Sequence, residues 1–68
     1  MYTHYQVELI NCENDRVEHR FTAPIDTPLR DVTDWSARLC RPYHDPMFVV
    51  IHRVDRDGNQ HYLHSIEF

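Results

Sequence analysis

Residues 2–10, YTHYQVELI, and 16–23, RVEHRFTA, each alternate apolar and polar side chains with a period of two, on either side of the polar turn Glu13-Asn14-Asp15. This pattern constrains the fold most, because in a strand that period sends one set of side chains to a buried face and the other to water. Tyr5, Val7 and Leu9 share one side, opposed to His4, Gln6 and Glu8; Val17, His19, Phe21 and Ala23 share another, opposed to Arg16, Glu18, Arg20 and Thr22. Matching apolar to apolar then sets the register. A three-residue loop pairs Leu9 with His19 and Val7 with Phe21, whereas a two-residue loop sets Glu8 against Phe21 and mixes the faces.

The period changes in PIDTPLRDVTDWSARLCRP. Thr27 is placed to cap a helix whose first residue is Pro28, where a missing N–H costs nothing, and Asp31 suits the positive end of the helix dipole. At 100° per residue Leu29, Val32, Ser36, Leu39 and Cys40 form one stripe, with Trp35 at its edge. Arg30, Asp31, Asp34, Arg38 and Arg41 face away, with Asp34 and Arg38 one turn apart. Pro42 ends the helix, since its ring clashes with the preceding turn.

Two further strands follow, MFVVIHRV and QHYLHSIEF, joined by Asp55-Arg56-Asp57-Gly58, a type I turn closed by a left-handed glycine. An unbroken hairpin gathers Phe48, Val50, His52, Val54, Tyr62, His64, Ile66 and Phe68 on one face and Met47, Val49, Ile51 and Leu63 on the other. The third strand is thus apolar on both sides. One helix covers one face of a sheet, so the second apolar set, with Arg53 beside it, is expected to be an exposed partner interface: Met47, Val49, Ile51, Arg53 and Leu63.

Residues 1–68 therefore read as a single small α+β domain in ββαββ order, a four-stranded sheet with one helix packed on one face. That order resembles the β-grasp architecture of ubiquitin-like domains and of the immunoglobulin-binding domains of protein G. The resemblance rests on element order alone, and it implies that the first and last strands run parallel in the centre of the sheet. A sheet with a different strand order satisfies the same alternation. Modifiers and sulfur carriers of the ubiquitin type need a C-terminal glycine; this sequence closes on Glu67-Phe68, and those activities are not expected.

Size and charge narrow the function classes. A chain of 68 residues hides only about 60% of its unfolded surface. A core that small rarely supplies more than about 3–5 kcal/mol, so a disulfide, a metal or self-association must be considered. The net charge is −4, and there is no lysine; seven arginines spread from Arg16 to Arg56 carry the positive side-chain charge. Direct nucleic-acid binding is not expected, because it depends on clustered cations. The longest uncharged apolar run, Pro46 to Ile51, does not span a bilayer, and MYTHYQVE has no signal-like pattern, so the expected setting is cytoplasmic, without membrane contact. Protonating all six histidines moves the formal charge from −4 to −4 + 6 = +2.

The sequence offers limited chemistry. There is no CxxC or HExxH, and Gly58 alone builds no phosphate loop. In a β-grasp the first hairpin turn and the helix C-terminus meet at one end, which makes Cys12, Cys40 and His44, with Asp45 nearby, the candidate zinc ligands. A disulfide between Cys12 and Cys40 is the other use of the same pair, and two unrelated thiols the plainest. Cys40 lies on the apolar stripe, which withdraws it from a nucleophile–base pair with His44. No catalytic residues and no cofactor are expected, so the chain is not read as an enzyme.

What remains is interaction. The preferred expectation is a small acidic module that binds or inhibits a larger protein partner, or pairs with itself as a homodimer. In size and charge alone it resembles phage and mobile-element inhibitors of the anti-CRISPR type. The alternatives are a zinc-binding protein using Cys12, Cys40 and His44 and a non-catalytic accessory subunit of an enzyme complex.

Overall fold

The computed structural model describes all 68 residues. Strands β1 (Tyr2–Asn11) and β2 (Arg16–Pro24) precede helix α1 (Leu29–Cys40), and β3 (Met47–Asp55) and β4 (Gln60–Glu67) follow it. They build one four-stranded sheet in the order β2-β1-β3-β4, in which every neighbouring pair is antiparallel. The β-grasp expectation is corrected at this point: β1 lies beside β3, not beside the last strand, and the central pair is antiparallel. The composition of the second hairpin explains the choice. A central strand is shielded along both edges, and β3 is apolar on both faces; β4 carries Gln60, His61, His64, Ser65 and Glu67 and tolerates the edge.

Each hairpin departs from simple pairing by one residue. Leu9 meets His19 and Val7 meets Phe21, the register read from alternation, but nearer the turn Ile10 meets Val17. Glu18 is the extra residue of a β-bulge, and the connection is the four-residue loop 12–15, with Asp15 left-handed at φ 58°. In the second hairpin Gly58 takes φ 83°, as its turn requires, and His52 pairs with Tyr62. Ile51 then pairs with His64, so Leu63 is a second bulged residue, and Val49 meets Ile66. A third irregularity near the start of β1 makes Thr3 an extra residue opposite β3.

The helix begins one residue later than the sequence suggests. Pro28 occupies the cap position, its carbonyl accepting from the N–H groups of Asp31 and Val32, and Thr27 contributes no side-chain cap. Asp31 does lie in the first turn, and the helix closes at Cys40, with the Tyr43 N–H returning to the Cys40 carbonyl. Asp34 and Arg38 form no ion pair; Arg20 and Glu8 do, and the Asp55 carboxylate is in contact with the His61 ring, a pair that is ionic only when His61 is protonated.

The core lies between α1 and one sheet face. Val32 and Cys40 meet Val7, Leu9, Ala23, Met47, Val49 and Ile51, with Tyr5, Phe21, Leu39, Tyr43 and Leu63 at the margin. Burying an aliphatic side chain of this kind contributes about 1.5–3 kcal/mol relative to leaving it exposed. Ser36, on the same helical stripe, is also buried and donates its hydroxyl to the Val32 carbonyl at 2.8 Å. Leu29, expected on the stripe, is exposed at the first turn of the helix, and Trp35, at the stripe's edge, is exposed too.

Candidate binding surfaces

The expected interface is divided by the fold. Met47, Val49 and Ile51 are not displayed: they are 1%, 0% and 0% exposed, beneath α1. Leu63, at its bulge, packs on the edge of the same core. The reason is a choice between two apolar sets on β3. Arg53 belongs to the row of Met47, Val49 and Ile51. In the structure Arg53 lies at the far end of the row, half-buried, its guanidinium carbon 4.3 Å from the centre of the Tyr2 ring. One stacked cation at the end of the row is compatible with three apolar residues in the core.

The face turned away from the helix therefore carries the other set. Read across β2, β1, β3 and β4, one row is Val17, Ile10, Phe48 and Glu67, and the next is Arg20, Glu8, Val50 and Ser65. A third is Thr22, Gln6, His52 and Tyr62. Val17 is 40% and Tyr62 62% exposed, while Ile10, Phe48 and Val50 are half-buried by their neighbours alone. Charge lies around this apolar strip: Arg20 Nε donates to Glu8 Oε2 at 2.7 Å, and Glu67 closes the row at β4. Alternation alone misses Val17 and Ile10 as neighbours of Phe48, because the Glu18 bulge is what turns Val17 to this side.

His52 and His64, read as close neighbours on one face, are separated by the Leu63 bulge. His52 stands edge-on to Tyr62, with ring centres 6.1 Å apart, while His64 is opposite Ile51 on the helix side. Nδ1 of His52 is buried with no hydrogen-bond partner. The Tyr62 hydroxyl is bonded instead to Ser65 Oγ, at 2.8 Å.

The candidate metal ligands reach the same end of the sheet without forming a site. The Cys12 N–H donates to the Pro46 carbonyl at 3.0 Å, so the first turn and the segment after the helix do meet. Cys12 is exposed and Cys40 buried, both are free thiols, and no three histidine, cysteine or carboxylate groups gather as metal ligands anywhere in the chain. Asp45 is engaged by Asn11 Nδ2 at 3.0 Å, and His44 is exposed. Burial pushes the Cys40 thiol up, away from the thiolate form.

A second polar cluster lies at the opposite end of the sheet. Tyr5, Arg53 and His61 are cross-strand partners on β1, β3 and β4. His61 stands edge-on to Tyr2, with ring centres 5.4 Å apart, and its Nε2 lies 2.9 Å from Asp55 Oδ2. The Asp55 carboxylate also accepts from the N–H groups of Asp57 and Asn59, and these bonds, His61 first, hold its carboxyl below the usual range. Arg53 takes part in neither ion pair, and its Nε is buried with no hydrogen-bond partner.

The fold encloses no cavity, and its helix is neither long nor apolar enough to cross a membrane. No family model, curated protein or solved structure matches this chain.

Proposed function

We propose that this chain is a small protein-binding module that acts by placing the open face of its sheet against a larger partner. The observation that carries the reading is the continuous row Val17–Ile10–Phe48, with Val50 beside Phe48, on the face that α1 leaves uncovered. Apolar surface there gains about 25 cal/mol for each Å² removed from water, and the flanking Glu8–Arg20 pair and Glu67 supply the polar rim that sets orientation. Binding is favoured over catalysis because the thiols and carboxylates are scattered, with Cys40 buried and Asp55 committed to its turn. The same contact serves an inhibitor of the anti-CRISPR type or a non-catalytic accessory subunit. Assaying the captured partner's activity with and without the module separates these two.

The test uses Val50→Asp, which adds a charge to the open face, with capture from an extract of the native host and sedimentation over a range of concentrations. The variant keeps the wild-type circular dichroism and loses the captured protein. Capture undiminished by Val50→Asp and by Phe48→Glu overturns this assignment. Self-association that both variants abolish identifies a second copy as the partner.

A further inference from the structure

We propose that Arg53 is the anchor of a carboxylate-binding site at the Tyr2–His61 end of the helix-side face. The site is on the opposite side of the sheet from the row Val17–Ile10–Phe48 and stands independently of the function proposed for that row.

The argument begins with lengths. The 12 residues of α1 extend about 18 Å at 1.5 Å each. The 9 and 10 residues of β3 and β1 extend about 30 Å, so the helix cannot roof the whole face. It reaches the row Leu9–Val49 and the row Val7–Ile51, which are buried; in the next row Tyr5 and Arg53 are half-buried and His61 is exposed. An arginine at this boundary is usually tied to a carboxylate. Here the nearest acid along the strand, Asp55, is spent on His61 and on two backbone N–H groups. Arg53 is held instead by Tyr2, whose ring packs 4.3 Å from the guanidinium carbon. Packing of this kind restrains a guanidinium without using its N–H groups, and no side-chain hydrogen bond occupies those of Arg53, so its terminal pair is free for a carboxylate.

The class of anion follows from the charges present. The groups around Arg53 are Tyr2 and Tyr5 from β1, His61 from β4 and Asp55 from its own strand, and the chain as a whole carries −4. One cation in an acidic chain matches a flat, singly charged carboxylate better than a phosphate, which carries about −1.5 to −2 near neutral pH and calls for several donors. The carboxylate comes either from an acidic side chain of a protein or from a small organic acid.

Nuclear magnetic resonance of the arginine side-chain N–H groups in the full chain tests the site. Acetate, an end-capped tetraglutamate peptide and inorganic phosphate are titrated separately at pH 7.5 and constant ionic strength, with chloride as the reference salt. The Arg53 Nε–Hε signal, assigned by its loss in Arg53→Lys, is expected to move saturably with acetate, while the other arginines do not follow. Tyr2→Leu, which releases the stack, weakens that response at least threefold without moving the signals of the core. A tetraglutamate response at least tenfold tighter identifies a protein source; equal affinity for the two carboxylates identifies a small acid. A linear drift shared by all the arginines, or phosphate binding as tightly as acetate, overturns the proposal.

Discussion

Asn11, the last residue of β1, is tied to Asp45, 34 residues away in the loop before β3: Asn11 Nδ2 donates to Asp45 Oδ2 at 3.0 Å. The other end of the same amide works locally, Oδ1 accepting from the Glu13 N–H at 2.9 Å to shape the first turn. Asn11 is only 4% exposed, and truncation removes both of these part-buried hydrogen bonds, leaving their partners at Glu13 and Asp45 to water. Asn11→Ala is expected to lower unfolding free energy by about 1–3 kcal/mol. Asp45→Ala, at an exposed position, costs less. Urea denaturation followed by circular dichroism measures both.

Val49 and Val50 are adjacent and answer to different surroundings. Val49 is 0% exposed beneath the helix, whereas Val50 is half-buried on the open face. Val49→Asp places an unpaired charge in the core, which no domain with about 3–5 kcal/mol in reserve survives, and it is expected to be unfolded at 25 °C. Val50→Asp folds. Val49→Ala costs about 2–3 kcal/mol through lost burial and the cavity left behind. Thermal melts of the three variants discriminate the faces, and a folded Val49→Asp contradicts the assignment.

Much of the fold is legible in the alternation, and these valines show where legibility ends. Val7 with Phe21 and Leu9 with His19 follow from keeping apolar side chains together, and Gly58 follows from the demand for a positive φ. Val32, Ser36 and Cys40 follow from helical spacing, and all three are buried. The face of β3 did not follow, because Val49 and Val50 belong to equally apolar sets and nothing within the strand decides which set the helix covers. Strand order did not follow either: alternation within each strand is satisfied with β3 or β4 beside β1, and preference for the doubly apolar strand in the centre is a property of the whole sheet. The bulges at Glu18 and Leu63 leave no mark in residue type. For the candidate surfaces, His61 and Asp55 were visible only as turn and strand residues, since their meeting with Arg53 and Tyr2 depends on pairing across three strands.

Ser36 tests whether a buried hydroxyl is structural. Its hydrogen bond runs back to the Val32 carbonyl of its own helix, so removing the hydroxyl strands no partner elsewhere. Ser36→Ala is expected to change stability by less than about 1 kcal/mol, with alanine's better helix propensity offsetting the lost bond. Ser36→Val, which adds volume at a site with 0% exposure, destabilises. Chemical denaturation of the pair gives the sign.

Asp55 gives the chain an acid-sensitive turn. Its carboxyl titrates below the usual range because His61 and the Asn59 and Asp57 N–H groups bond to the charged form. An unfolded aspartate titrates near about 3.9, so between that value and the folded one the native state binds fewer protons. The stabilisation is present above about pH 4 and is lost as the pH falls through the folded value. Asp55→Asn is expected to be less stable than wild type at pH 6, and the difference is expected to shrink as the pH falls from about 4 through the folded value. Urea midpoints measured across that range follow the convergence.

The two thiols differ in reactivity for a reason of position. Cys12 is exposed in the first turn; Cys40 is buried and its pKa raised by that burial. Iodoacetamide at pH 8 is expected to modify Cys12 at least tenfold faster, with Cys40 reacting at a comparable rate only in urea, as mass spectrometry of timed samples shows. Equal rates in the native chain contradict the core position of Cys40.

The bulge at Leu63 gives a single inserted codon in β4 an effect that no single substitution has. One extra residue there decides that Ile66 stands opposite Val49 and that Ser65 and Glu67 go to the open side with Val50 and Phe48. Insertion or deletion at that point exchanges what the molecule keeps for itself and what it displays, with composition almost unchanged. For a lineage of such chains, length change in an edge strand is a route to a new exterior as direct as mutation of the exterior residues themselves.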